Sequence, residues 1–133
     1  MIKQIYNGKI HTPSGWVNGG SIVFENGKIL EVKNDSLLID GAEHIDADGA
    51  YVTPGGIETH CHGGGGRDFM ECKEDAFRTA AKTHLKHGTT TIFPTLSSSS
   101  QQMIDEAAEV CDRIIECGDS TILGLHLEGP HLN

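Results

Sequence analysis

Basic residues are scarce in this sequence. Ten Lys and Arg stand against 19 Asp and Glu, a formal net charge of −9, and no basic cluster rises from that background. A phosphate-backbone partner needs such a cluster, so nucleic-acid binding is excluded. Long apolar runs are missing as well. None approaches the roughly 20 residues a bilayer-spanning helix requires, and no membrane partner is expected. The opening Met1-Ile2-Lys3-Gln4-Ile5-Tyr6 lacks the apolar core of a secretory signal. The four cysteines, Cys61, Cys72, Cys111 and Cys117, form no C-x-x-C pair and no framework spacing. They read as reduced thiols packed as small hydrophobes in a cytoplasmic protein. Apolar residues are 37% and aromatics only 5% of 133 residues, with 17 glycines. The Ile/Val/Leu runs are nonetheless patterned well enough to exclude disorder.

Residues 1–53 alternate in the manner of short strands. Asn7-Gly8 and Asn26-Gly27 both carry the chemistry of two-residue hairpin turns. The second predicts an antiparallel pair, Ser21–Glu25 with Lys28–Val32, and the first a looser hairpin, Lys3–Tyr6 with Lys9–His11. Two hairpins without a covering layer are marginal in water, so this segment needs a partner.

From Tyr51 the rhythm changes to strand and helix. A short strand within Tyr51–His62 leads to a helix over Lys73–His87, with Ala76, Phe77, Ala80, Ala81 and Leu85 as its inward stripe and Gly88 at its end. Thr89–Thr95 reads as a strand stopped by Pro94. The serines of Ser97–Ser100 offer N-caps for a second helix, Gln101–Cys117, whose inward positions are Met103, Ile104, Ala107, Ala108, Cys111, Ile114 and Ile115. Its acidic residues Asp105, Glu106, Glu109, Asp112 and Glu116 read as a solvated face. Gly118 stops it, and Thr121–Glu128 is a third strand. The strands recur about every 33 residues, the size of a βα unit. His60-Cys61-His62, Pro94-Thr95 and His126-Leu127-Glu128 stand at the three carboxyl ends, where a (β/α)8 barrel builds its active site. The fold expected is α/β: the first three βα units of such a barrel over residues 54–133, after a small β segment over 1–53. A whole barrel needs roughly 250 residues, so the sequence reads as the N-terminal part of a larger protein. Three units cannot close a barrel, and residues 1–133 alone are expected to be molten and inactive.

Chemistry concentrates in two motifs. In Pro54-Gly55-Gly56-Ile57-Glu58-Thr59-His60-Cys61-His62-Gly63, residues two apart share a face of the strand. His60 and His62 then project together while Cys61 faces away, and two neutral imidazoles so spaced can chelate a divalent ion. Gly63–Gly66 follows; without a P-loop's Lys and Ser/Thr it reads as a loop permitting close backbone approach to a metal site or substrate. In Leu125-His126-Leu127-Glu128-Gly129-Pro130-His131, Glu128 closes an apolar strand, where a carboxylate without a cation is costly. His126 shares its parity and is either a neighbour of the metal site or a satisfied core histidine. His131 lies in the next loop, where substrate contact is one reading. His11 and His44 in the β segment, and His84 and His87 near the end of the first helix, read as surface positions.

Together, Pro54–Gly66, Gly88–Thr95 and Gly124–Asn133 resemble the N-acetylglucosamine-6-phosphate deacetylases of the metal-dependent amidohydrolase superfamily in order and in spacing. The resemblance covers essentially the whole chain. It implies a barrel flanked by a small β-sandwich assembled from both chain ends, residues 1–53 being half of it. It implies hydrolysis of the acetamide of N-acetylglucosamine 6-phosphate, a cytoplasmic role in amino-sugar metabolism, a homo-oligomer, and one or two divalent ions per site. Zinc is the first choice of ion, with iron, manganese or cobalt as alternatives. Glu128 would be the main metal ligand, with His60 and His62 holding a second ion. The family's catalytic Asp would lie beyond Asn133, so no catalytic residue is expected within 1–133. Glu58 stands where Asp is usual and Gly56 where a bulky apolar residue is common, and Glu58 by parity reaches toward the site. Two other readings remain open: an amidohydrolase acting on a cyclic amide or related C–N bond, and a non-catalytic interaction module.

Overall fold

The structure is a computed structural model and describes residues 1–129. The chain divides into two compact units, Met1–Pro54 and the part from Gly55 onward.

The first unit is one sheet. Strand β1 (Lys3–Thr12) pairs antiparallel with β2 (Gly15–Glu25), which pairs with β3 (Lys28–Lys33). On the other edge of β1 run two parallel partners, β4 (Glu43–Asp46) against Lys3–Tyr6 and β5 (Tyr51–Val52) against Lys9–Ile10. Asn26 and Gly27 turn β2 into β3 with φ of 50° and 75°, the double positive φ of a type I′ hairpin. Asn7-Gly8 does not turn the chain, and the hairpin expected around it is absent. Of this pair only Asn7 has positive φ, 57°, and β1 runs straight through it with a bulge in its register against β2. Long-range bonds hold the bulge: the Asn7 carbonyl accepts from Gly49 N at 2.8 Å, and Ser36 Oγ accepts from Asn7 N at 3.0 Å. Asn7 Nδ2 also donates to Asp46 Oδ1 at 3.1 Å. Buried Gln4 pins the loop after β3, donating to Leu37 O at 2.8 Å and accepting from Ile39 N at 3.0 Å. Trp16, Ile29, Leu30, Val32 and Tyr51 are exposed, and a groove of about 270 Å³ lies open among Ile10, Ile22, Ile29, Val32 and Val52.

The second unit is mixed α/β. Strands β6 (Gly56–Cys61), β9 (Thr89–Leu96) and β10 (His126–Leu127) form a parallel sheet with β9 in the centre. Between β6 and β9 lie a two-residue ribbon, β7 (Gly63–Gly64) with β8 (Arg67–Asp68), a 3₁₀ turn over Phe69–Glu71, and helix α1 (Glu74–Leu85). Helix α2 (Gln101–Cys117) joins β9 to β10. Ser100 caps it by accepting from Met103 N at 3.3 Å, and Gly118 ends it. The acidic face expected on α2 is exposed throughout. The core joins Phe69, Phe77, Ala80 and Ala81 to Ile92, Leu96, Ala107, Val110, Cys111, Ile114 and Ile122.

Several details depart from the sequence reading. Pro94 does not stop β9; it lies inside the strand, opposite Cys61 beside a register shift, the irregular kind of position at which a strand admits proline. The third strand is not continuous over Thr121–Glu128. It touches β9 at a bridge between Ile122 and Ile92, then pairs again only at β10. Leu85, expected inward, is 47% exposed at the end of α1, and on α2 Ile115, also expected inward, is exposed while Val110, absent from the expected stripe, is buried. Cys117 is exposed, not buried, and all four thiols are free. His84 is half-buried, its Nε2 3.0 Å from Gly63 O, so it is no surface histidine.

Candidate metal centre

The site is built where β6 and β10 end. Along β6 three steps from Glu58 to Cys61 face two on β9, from Ile92 to Pro94. The extra residue makes a bulge beside His60. The His60 N–H is taken up by Glu58 Oε1 at 2.9 Å. Glu58, expected to reach toward the site, therefore acts on the backbone of the histidine.

His60, His62 and Glu128 come together. His60 Nε2 contacts Glu128 Oε1, and His62 Nε2 lies 3.6 Å from Glu128 Oε2. Each carboxylate oxygen thus faces one imidazole, and the ligand atoms of the three residues all lie within 4.8 Å of one another. The side chains are 53%, 43% and 32% exposed, open to an entering ion. Two imidazole nitrogens and a carboxylate suit a divalent ion such as zinc, and three converging donors with no cation of their own are what such an ion would fit.

Cys61 points the other way and packs on the core. Burial pushes its thiol up, with the Glu58 charge adding to the effect, which disfavours the thiolate a metal needs. His126 is outside the donor cluster. Its Nδ1 lies 3.2 Å from Thr95 Oγ1, and its ring stands edge-on to His60 with centroids 4.8 Å apart. It is a wall of the site. His131 falls outside the described residues.

The glycine loop serves packing. A Cβ on Gly63 would stand 2.1 Å from Arg67 O, so the β7–β8 ribbon closes only without a side chain there. Arg67 is consumed inside the same loop. Its Nε and Nη2 donate to Glu71 and its Nη1 to Asp75, at 2.8–3.2 Å. Those bonds hold the Glu71 carboxyl at about 2 and keep the guanidinium firmly charged. All three nitrogens of the Arg67 guanidinium are thus engaged by carboxylates of its own loop and helix. The close backbone approach expected of the loop is thus to β8 and, through His84, to α1.

The segment after β9, which the sequence marks only as a source of caps, touches the centre twice. Ser97 Oγ lies 3.3 Å from His62 Nδ1, and Ser98 Oγ donates to Glu128 O at 3.0 Å. The one signal for this in the sequence is position, since both serines directly follow a strand whose carboxyl end faces the site.

The family model described as the amidohydrolase family matches residues 51–133. The chain superposes over its whole length on 35% of a crystal structure of N-acetylglucosamine-6-phosphate deacetylase from Pasteurella multocida, with a TM-score of 0.92 at 28% identity. It is 30% identical over 132 residues to the human N-acetylglucosamine-6-phosphate deacetylase, covering 95% of this chain and 31% of that one. It is 31% identical over 91 residues to an N-acetylgalactosamine-6-phosphate deacetylase from a Shewanella species, covering 68% of this chain and 23% of the relative. The chain therefore spans about a third or less of the length of these relatives.

Proposed function

The chain belongs to the amidohydrolase family, and from that premise we propose that the full-length protein hydrolyses the acetamide of N-acetylglucosamine 6-phosphate. The products are glucosamine 6-phosphate and acetate. Water adds to the carbonyl carbon, the C–N bond breaks, and the nitrogen leaves as the amine after taking a proton. The observation that carries this reading is the convergence of His60, His62 and Glu128 at the ends of β6 and β10, the two parallel strands that flank β9, in a chain alike throughout to a solved deacetylase.

His60, His62 and Glu128 would hold a zinc ion, which when bound supplies an acidified water and polarises the amide carbonyl. Glu128 brings the negative charge and the two imidazoles bring neutral donors. Cys61, turned into the core with a raised thiol pKa, stays out of the donor set. The edge of His126 against His60 limits how far that imidazole can swing.

The same reading makes the second unit the first three βα units of a (β/α)8 barrel, for which the parallel order β10-β9-β6 is the support. It makes the first unit half of a β-sandwich, which accounts for Trp16, Ile29, Val32 and Tyr51 standing exposed on one small sheet.

Acetate release from the phosphorylated sugar, its unphosphorylated counterpart and the C4 epimer tests the proposal. A remote dianion supplies binding energy that orients the amide, so N-acetylglucosamine 6-phosphate should react far faster than N-acetylglucosamine. Equal rates on those two would favour an amidohydrolase of other specificity, and no acetate at all would remove the deacetylase reading. Preference for N-acetylgalactosamine 6-phosphate would favour a second reading, to which the Shewanella relative points.

A further inference from the structure

Four consecutive serines follow β9, and the structure gives them different surroundings. Ser100 caps α2. Ser99 Oγ is buried with no partner among the described residues. Ser97 and Ser98 reach back to the donor cluster, one to a side chain and one to a backbone.

Glu128 is anchored to the end of β9 through both of its backbone groups. Its N–H donates to Leu96 O at 2.9 Å, and its carbonyl accepts from Ser98 Oγ at 3.0 Å. The next residue leaves no slack, because a Cβ on Gly129 would stand 2.6 Å from Ser98 Oγ and 3.2 Å from Ser98 Cα. Two residues of β9 and its loop therefore fix where the carboxylate starts. The neighbouring Ser97 fixes the imidazole across from it. Were Ser97 Oγ to accept from Nδ1–H, the His62 proton would sit on Nδ1, and Nε2, the atom facing Glu128 Oε2, would keep its lone pair for a ligand. Partners on the far nitrogen of a metal-binding histidine set its tautomer and ring orientation in this way.

We propose that Ser97 and Ser98 are positioning residues that preset the metal centre from a third chain segment, Ser97 by holding His62 in the Nδ1–H tautomer and Ser98 by clamping the backbone of Glu128. The inference rests on the deacetylase reading in one respect only, that His60, His62 and Glu128 hold the ion. Neither serine belongs to the donor cluster. Both act through the ligands, so their loss should change how tightly and in what geometry an ion is held before it changes anything else.

The test uses the full-length protein and three readouts: zinc affinity by competition with a chromophoric chelator, the visible absorption of the cobalt-substituted protein, and the thermal midpoint with metal removed. Loss of such a partner weakens metal binding by about 10- to 100-fold. Ser97→Ala should fall in that range and shift the cobalt spectrum. Ser97→Thr, which keeps the hydroxyl, should restore both toward the parent. Ser98→Ala should weaken zinc to a smaller degree and leave the cobalt band position in place, since it moves a backbone and not a donor's tautomer. The metal-free midpoint should stay within a few degrees of the parent in all three, which separates positioning from general loss of structure.

Unchanged zinc affinity and cobalt spectrum in Ser97→Ala would overturn the proposal for Ser97, and unchanged affinity in Ser98→Ala would overturn it for Ser98. Glu128→Gln is the control for the underlying reading. If it keeps full metal content the ligand assignment itself fails, whereas loss of metal there with parental binding in both serine variants sinks the positioning role alone.

Discussion

The first unit buries few of its large apolar side chains and is stitched by hydrogen bonds; the second buries more of its own and is held by packing. Ile10 and Val23 are the buried apolar side chains of Met1–Pro54, while Trp16, Ile29, Leu30, Leu37 and Tyr51 stand exposed. From Gly55 onward, both helices press an apolar stripe onto Ile92, Leu96 and Ile122, and the Phe69 and Phe77 rings meet edge to face with centroids 5.0 Å apart. In the first unit the conformation is decided by register, bulge and turn, with Gln4, Asn7 and Ser36 tying distant loops to β1. In the second, area removed from water decides it, and that rigid frame carries the donor cluster. A precise constellation is better placed on such a frame than on a half-covered sheet.

The contrast is most directly broken in the second unit. Phe77→Ala deletes a fully buried ring and should cost about 3–5 kcal/mol, read by urea denaturation of the full-length protein. A cost near that of a surface change would mean that packing does not hold this unit.

The first unit should respond less, and to a different lesion. Gln4→Leu keeps the volume but leaves Leu37 O and Ile39 N without their partners, a loss of about 1–3 kcal/mol. Hydrogen exchange should show faster opening at Ile39. If Gln4→Leu is neutral or stabilising, hydrogen bonding is not what defines this sheet.

The smallest effect is electrostatic and sharpens the comparison near the site. The Arg67 side chain, with the Asp68 N–H in support, lowers the Glu71 carboxyl from 4.5 to about 2. A carboxyl depressed by folding contributes stability that is present above its unfolded pKa and lost as protons compete for it. The contribution should be complete above pH 4.5 and fade toward pH 2. Glu71→Gln should remove that part of the acid dependence. Parallel denaturation-midpoint curves for parent and variant between pH 2 and 5 would refute it.

The sequence disclosed local chemistry well and long-range choice poorly. The bounds of helix α2 were legible to the residue, because Ser100 and Gly118 mark its ends, whereas its buried stripe was legible only in part. Asn26-Gly27 and Asn7-Gly8 present the same dipeptide, yet one is a turn and the other a bulge. A positive φ is wanted by both devices, and only the bonds from Gly49 and Ser36, far along the chain, select the bulge. Pro94 misled for a related reason. Proline is excluded from a regular ladder but not from a point where the ladder is already irregular. The His60–His62 pair and Glu128 were visible as motifs, and the structure brings them together. His84 and the two serines were not visible, since their partners, Gly63 O, His62 Nδ1 and Glu128 O, lie 21 to 35 residues away.

The pairing of Pro94 with Cys61 bears on the fidelity of strand alignment. Were β6 to slip by one residue against β9, every side chain would change faces. Cys61 would then be presented where an imidazole belongs, and His60 would be driven toward the core. The native alignment sets the ladder's extra residue beside the one position of β9 that has no N–H to offer. Proline and irregularity thus coincide in the one alignment that turns both imidazoles toward Glu128.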